Sequence, residues 1–418
     1  MAASAPSKPS PLRPAPDTRF ASDHRPSRPA ATVLSAARRG GPAFRDQLAR
    51  STSLSNATVN RQVAGLLAAG LIRERPDLAP PGAVGRPRIP VEIDPDCFGV
   101  LGMHLGVRRS TFAVADLRGR VLGKVDVPTP SGEPDGVLTS LTKRLRVFGD
   151  RFPDRTILQL GVVVGGQLSA ERGLLRHPTL GWSRVPVAEI VDRTAACDVV
   201  VVAQVEAMAK ADTLRPGREV RGRTLYIYAR DAVDAVLMSG GGTEPPTTSL
   251  GTVSHLPVGG TEPCTCGATG CLESSAGDAA VADAAVRAGI VSEPSVARVI
   301  AAAEAGNGDA HQLLVDRARL LGRGVALVRD LLDPDRVVLL GQAFTAYRPA
   351  LAHVSAAFAA RSVLEPLPLQ VSPLGPGVQA LAACTAALVP VYADPLRAVT
   401  RSEARRKRAM STPGKAAG

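Results

Sequence analysis

Three cysteines crowd into eight positions of SHLPVGGTEPCTCGATGCLE, residues 254–273, with a histidine nine residues ahead of the first. The whole chain of 418 residues has only six cysteines. Thiols and an imidazole this close can hold a metal ion, form a disulfide or sit unliganded in a loop. The disulfide is the weaker choice. The N-terminus, MAASAPSKPSPLRPAPDTRF, lacks the apolar stretch of a signal peptide. No run approaches the roughly 20 apolar residues of a membrane span. A cytoplasmic location follows as the expectation, and disulfides are rare there. Cys97, Cys197 and Cys384 lie in apolar contexts and read as core fillers.

A second set of chemistry-bearing residues lies near the start of the chain. The net charge of +12 is uneven: residues 1–94 hold 14 Lys/Arg against 7 Asp/Glu, and residues 397–418 hold 7 against 1. The body between them is close to neutral. Basic ends point to a polyanion, nucleic acid first. In AATVLSAARRGGPAFRDQLARSTSLSNATVNRQVAGLLAAGLIRERP, residues 31–39 read as a helix stopped by Gly40-Gly41. Pro42 suits the start of a second helix, Ala43 to Arg50. After a turn, Ser51 to Leu54, Ser55 is a plausible N-cap for a third helix ending at Gly70. Val59, Val63, Leu66 and Leu67 recur at helical spacing, leaving Asn56, Asn60 and Arg61 outside. Two helices at a tight turn, the second polar at its start, are the pattern of a helix-turn-helix. Asn can pair bidentately with adenine and Arg with guanine. Leu71 to Arg75 and Ile89 to Ile93 read as the strands of a wing, with Arg86 and Arg88 a basic hook at its tip for phosphates or a minor groove. Ser55, Asn56, Thr58, Asn60, Arg61, Arg86 and Arg88 are therefore the candidate contacts to a double-stranded DNA operator.

Stepping along the rest of the chain, strands alternate with helices, the sign of an α/β body. Residues 100–122 read as strand, turn, strand and hairpin, and 157–169 as a buried strand running into a glycine turn. Residues 196–212 read as strand then helix, and 224–242 as two strands. Residues 276–332 read as amphipathic helices, and 333–344 as a strand ending at glycine. Residues 1–28 suit a disordered leader, and 397–418 a basic disordered tail adding modestly to DNA affinity.

Several segments together resemble the ROK family, which groups sugar kinases and repressors on an actin-like, two-lobed fold. They are the Gly102–Gly106 loop, GVVVGGQLS and HPTLGWSRVPV at 161–187, VAQVEAMAKAD at 202–212, HLPVGGTEPCTCGATGCLE, and DPDRVVLLG. With the winged module in front, the resemblance is to the family's repressors. It implies a winged helix-turn-helix over 29–94 and a kinase-like body over 95–396. One lobe would comprise approximately 95–214 plus 370–396, the other 215–369. It implies that His255, Cys264, Cys266 and Cys271 are the family's zinc ligands, one structural zinc per chain. The chemistry agrees, since a closed structural site takes four N/S donors tetrahedrally. It implies that His255 and Glu273 also meet sugar hydroxyls.

Against the family's kinases the chain departs in three parts of the phosphoryl-transfer site and at one position on the sugar side. The first loop carries His104-Leu105-Gly106-Val107-Arg108 where kinases have Asp-x-Gly-Gly-Thr. Ala203-Gln204 stands for their Asn-Asp, and a neutral amide is not a base. Leu340-Gly341 stands for Gly-Gly, and Thr252 for a glutamate three residues before the histidine. The sequence therefore predicts a cytoplasmic repressor with no kinase activity, sensing a sugar or sugar derivative. It would act as a homodimer or dimer of dimers, because one recognition helix covers too few base pairs. Residues 90–97 would tether the winged module while it is re-spaced. An active sugar kinase with an appended DNA-binding module, or a scaffold without a ligand, are the alternatives.

Overall fold

The structure, a computed structural model, describes residues 29–79, 88–169, 173–214, 222–240, 247–251, 253–375 and 377–411. It opens with three helices, α1 (Pro29–Gly40), α2 (Arg45–Thr52) and α3 (Asn56–Ala68), and a two-stranded antiparallel wing, β1 (Ile72–Glu74) and β2 (Val91–Ile93). The second helix begins later than the sequence suggests. Ala43 is paired with Val91 through both backbone groups, each N···O 2.9 Å, so it joins the wing instead of the helix. The α3 helix starts where its cap predicts: Ser55 Oγ accepts the Thr58 N–H at 3.2 Å. Val59, Val63 and Leu66 are buried, while Leu67 is only half-buried.

The body begins with β3 (Phe98–Leu105), β4 (Arg109–Asp116), β5 (Val121–Pro128), α4 (Pro134–Gly149) and β6 (Thr156–Val164). A small three-stranded sheet follows, β7 (Gln167–Leu168), β8 (Leu175–His177) and β9 (Trp182–Val185), then α5 (Val187–Asp192), β10 (Asp198–Ala203) and α6 (Gln204–Thr213). Next come β11 (Arg223–Ala229), β12 (Val233–Ser239), β13 (Thr247–Ser249) and four helices, α7 (Leu272–Ala276), α8 (Asp278–Arg287), α9 (Val296–Glu304) and α10 (Gly308–Leu332). The remainder is β14 (Arg336–Leu340), α11 (Gln342–Thr345), α12 (Leu351–Arg361), β15 (Leu369–Val371), α13 (Val378–Ala393) and α14 (Pro395–Ser411).

The two large sheets share one plan. The first runs β10-β6-β3-β4-β5 and the second β13-β12-β11-β14-β15. In each, the first strand of the set forms an antiparallel meander on one side and pairs parallel on the other. This is the duplicated α/β architecture of an actin-like fold. Both α6 and α13 stand between the sheets, where Val205, Met208 and Ala383 meet Tyr226, Val236 and Val338. The fit of α13 is close: a Cβ at Gly161 of β6 would come 2.4 Å from the Ala383 carbonyl oxygen.

Two expectations are corrected. Residues 90–97 are not a loose tether. Glu92, on β2 and 2% exposed, takes Arg73 at 2.9 Å, Arg75 at 3.0 Å and Arg118 of the body at 2.8 Å. One apolar core also continues from Val33, Leu34, Leu48 and Leu66 of the module into Val100, Leu388 and Val391 of the first lobe. Each such side chain contributes about 1.5–3 kcal/mol when buried, so the module is welded to that lobe. The second correction is the basic tail, which is helical through Ser411 as α14. Arg405 reaches Asp198 at 3.0 Å and Asp192 at 2.7 Å, Arg401 reaches Asp198 at 3.1 Å, and Ser402 donates to the Ile157 carbonyl at 3.2 Å. Acidic partners supplied from far along the chain turn a run of like charges into a docked helix. Residues 1–28 and 412–418 lie outside the described residues.

Candidate functional site

The cluster that opens the sequence reading is brought together. The donor atoms of His255, Cys264, Cys266 and Cys271 all lie within 4.8 Å of one another. Cys264 Sγ is 3.3 Å from His255 Nδ1, and Cys266 Sγ is 3.6 Å from Cys271 Sγ. Tetrahedral zinc, with Zn–S about 2.3 Å and Zn–N about 2.0–2.1 Å, sets its ligands roughly 3.5–3.8 Å apart, so the donors fit such an ion. Local backbone bonding makes the site. Cys264 N–H donates to the Ala268 carbonyl at 2.8 Å and Gly267 N–H to the Cys264 carbonyl at 2.9 Å, a tight knuckle around the first two thiols. Gly270, at φ +77°, passes so near Gly260 that a Cβ would meet its carbonyl oxygen at 2.4 Å. Cys271 then caps α7, and Arg323 of α10 donates to the Val258 carbonyl at 3.3 Å behind the loop. Without an ion the thiols titrate apart. The Cys264 thiol is lowered to about 6, chiefly by the Cys266 backbone N–H. Cys271 is pushed up to about 12, first by desolvation and then by the neighbouring thiols. A bound dication would favour the thiolate of all three cysteines.

The knuckle delivers Glu273 two residues past its last cysteine. Glu273 Oε2 accepts the Val233 N–H at 2.9 Å, and burial raises its carboxyl above the usual range. Since His255 turns Nδ1 to Cys264, its Nε2 is the nitrogen left for another partner. Thr252 lies outside the described residues.

In the first lobe, two of the positions compared with the family's kinases meet each other. His104, at the end of β3, and Gln204, the first residue of α6, share a buried hydrogen bond of 2.8 Å between Nε2 and Oε1. In the second lobe, the Tyr228 hydroxyl donates to Asp231 at 3.2 Å. His177 joins His104 and Gln204: a Cβ on Gly165 would lie 3.5 Å from His177 Nε2 and 3.6 Å from Gln204 Oε1. The buried Nδ1 of His177 has no hydrogen-bond partner among the described residues, a position that a ligand or water would satisfy. Sequence reasoning quoted His177 within a motif and gave it no role; its signal was only its place after the glycine turn. Arg108, on the loop after β3, is exposed, and Val107 is half-buried beside it.

Burial lowers the pKa of both His104 and His177. A depressed histidine stays neutral in the folded protein while the unfolded chain takes up a proton. Stability is then present above about pH 6.5 and is lost as pH falls below it. Wild-type protein is expected to lose melting temperature between pH 7 and pH 5, and His104→Asn to lose less over the same interval. Parallel curves in differential scanning calorimetry would assign that loss elsewhere.

At the other end of the molecule, Asn56, Asn60 and Arg61 are exposed on the first half of α3. Ser55 and Thr58 are bonded to each other in the cap, Oγ to Oγ1 3.0 Å, and so set the helix start. Arg88 departs from the expected free hook: it is ion-paired with Asp46 of α2 and lies over the Phe44 ring, 5.5 Å from its centroid. Arg86 lies outside the described residues.

The ROK family pattern matches residues 100–366. The chain belongs to the ROK family. Among its ROK relatives, the transcriptional regulator Rv0485 of Mycobacterium tuberculosis is 43% identical over 389 residues, covering 90% of this chain and 88% of the relative. The Escherichia coli DNA-binding transcriptional dual regulator NagC is 23% identical over 317 residues, covering 72% of this chain and 77% of NagC. A crystal structure of a ROK family transcriptional regulator, homologue of the E. coli MLC protein, superposes with a TM-score of 0.74 at 22% identity. It covers 89% of this chain and 98% of that one. The ROK hexokinase from Thermus thermophilus matches with a TM-score of 0.56 at 26% identity over 70% of this chain and 99% of its own. Of these two superpositions, the one with the regulator covers more of the chain. No helix among the described residues is long and apolar enough to cross a membrane.

Proposed function

We propose that this ROK protein is a cytoplasmic DNA-binding repressor whose kinase-like body has lost phosphoryl transfer and senses a sugar or sugar derivative. The observation that carries the DNA side is α3: a capped helix whose polar first half, Asn56, Asn60 and Arg61, faces solvent on a module fused to the body. The 43% identity to a protein named a transcriptional regulator supports the same reading. On the kinase side of the reading, His104 and Gln204, which bond each other at 2.8 Å, are the residues that the sequence resemblance sets against two carboxylates of the family's kinases. Gln204 Oε1 only accepts, so His104 Nε2 carries the proton of their bond and has no lone pair free for a hydroxyl proton, and a neutral amide is not a base. Glu273 and His255 Nε2 are the groups proposed to hold sugar hydroxyls, a carboxylate being a strong acceptor for such bonds. The His/Cys₃ cluster is proposed to hold one structural zinc that fixes Glu273 at the cleft. A homodimer or dimer of dimers would place two α3 helices on an inverted repeat.

Fluorescence anisotropy with DNA from upstream of the chain's own gene tests the reading. Binding is expected to be at least ~1,000-fold tighter than to random duplex at the same salt. Equal affinity for both would overturn it. The same protein is expected to transfer no phosphate from ATP to common hexoses or pentoses, and Gln204→Asp alone is expected not to restore transfer, because His104, Val107 and Arg108 are changed as well. Coupled ADP release well above background would favour an active kinase with an appended DNA-binding module.

A further inference from the structure

Arg38, near the end of α1, reaches out of the winged module to both helices that stand between the lobes. Its Nη1 donates to the Leu214 carbonyl at 3.2 Å. Its guanidinium lies over the Tyr392 ring, 5.2 Å from the centroid. Leu214 ends α6, and Tyr392 lies in the last turn of α13. The chain leaves the first lobe after α6 and returns to it in α13. One side chain of the module therefore grips both crossings between the lobes.

The other end of α6 is in the cleft. Gln204 bonds His104 there at 2.8 Å. Two residues on, Glu206 accepts from Thr247 of β13 at 2.9 Å. The helix thus touches the second lobe at its start and the winged module at its end. At 1.5 Å per residue, its ten residues span about 15 Å. A hydrogen-bonded helix does not compress, so a shift of the lobes felt at Gln204 arrives at Leu214.

We propose that α6 is a rod coupling the state of the cleft to the winged module, with Arg38 as the latch that receives its motion. The proposal rests on the reading above that the module binds DNA and the cleft takes an effector. It replaces a flexible tether, which the shared core and the Glu92 cluster rule out, with a rigid transmission. An element with two positions, biased by both sites, is what allosteric coupling requires.

A double-mutant cycle needs no effector. Gln204→Ala cuts the cleft end of the rod, and Arg38→Met cuts the latch while keeping the side chain's length. The probe is the upstream DNA fragment, read by anisotropy on the full chain. Gln204→Ala is expected to change Kd at least ~3-fold in otherwise wild-type protein and less than ~1.5-fold in the Arg38→Met background. Equal changes in both backgrounds, or no change in either, overturn the proposal. Arg38→Lys takes the place of Arg38→Met if that variant does not fold. Hydrogen exchange of the α1 amides gives a readout independent of DNA. Exchange should rise in Gln204→Ala with Arg38 present, and Gln204→Ala should add no further rise once Arg38 is replaced. If wild-type protein binds no DNA, the regulator reading fails, while the exchange data still decide the coupling.

Discussion

Exchanging Cys264 for serine is expected to lower bound zinc from about one per chain to near none and to drop the melting temperature on the order of 5–10 °C. The donors stand within 4.8 Å of one another, with His255 and Cys264 3.3 Å apart and Cys266 and Cys271 3.6 Å apart, so one ion would bridge the whole set. Structural zinc in zinc-finger peptides contributes about 10–16 kcal/mol of folding free energy. Less reaches global stability here, because the second lobe keeps its own core of Leu225, Ile227, Val299, Leu314 and Leu339. The loss should concentrate between Val253 and Leu272, whose backbone is organised around the ligands. Metal analysis with calorimetry checks the pair of effects. A serine variant that keeps its zinc, or a metal-free protein that melts at the wild-type temperature, would count against a structural ion.

Replacing Arg61 or Asn60 with alanine is expected to cost about 1–3 kcal/mol of DNA binding each and to relax base preference at one position per half-site. Both side chains are exposed on α3, one turn beyond the cap. Arg88→Ala should behave differently. Its guanidinium already pairs with Asp46 and covers Phe44, so it supports the seat of α2 as well as adding charge. The expected result is weaker binding to all duplexes alike, with a salt slope falling by less than the ~0.9 of a full phosphate contact. Binding of randomised half-sites at three salt concentrations separates the two classes. Indistinguishable behaviour of Arg61→Ala and Arg88→Ala would remove the distinction between reading bases and holding the wing.

Some of this was legible in the sequence because the signals were local. Cap chemistry at Ser55 placed the start of α3, and thiol spacing placed the metal cluster within a stretch of 20 residues. The residues set against the family's kinases were visible as residue types, yet the pairing of two of them was not. His104 and Gln204 are 100 positions apart and meet only because β3 and β10 flank β6. The same holds for α14. Its arginines read as a solvated tail until Asp192 and Asp198 are brought beneath them by the sheet. Arg38 shows the limit most clearly. Nothing in RRGGP marks it, since its partners Leu214 and Tyr392 lie far along the chain on two different helices. The helix read over residues 31–39 left open that its buried side chains would join the first lobe's core.

The central claim is that a ligand in the cleft changes the grip on DNA, and titrating the protein–DNA complex with mono-, di- and phosphosugars tests it most directly. Wild-type protein and Glu273→Ala would be compared by anisotropy at fixed salt. At least one ligand class is expected to shift wild-type affinity by about 5–150-fold, the range of a coupling free energy of about 1–3 kcal/mol. Glu273→Ala, which removes the carboxylate bonded to Val233 N–H at 2.9 Å, should lose most of that response. A wild-type shift of less than about twofold with every ligand, or a Glu273→Ala response equal to wild type, would contradict it.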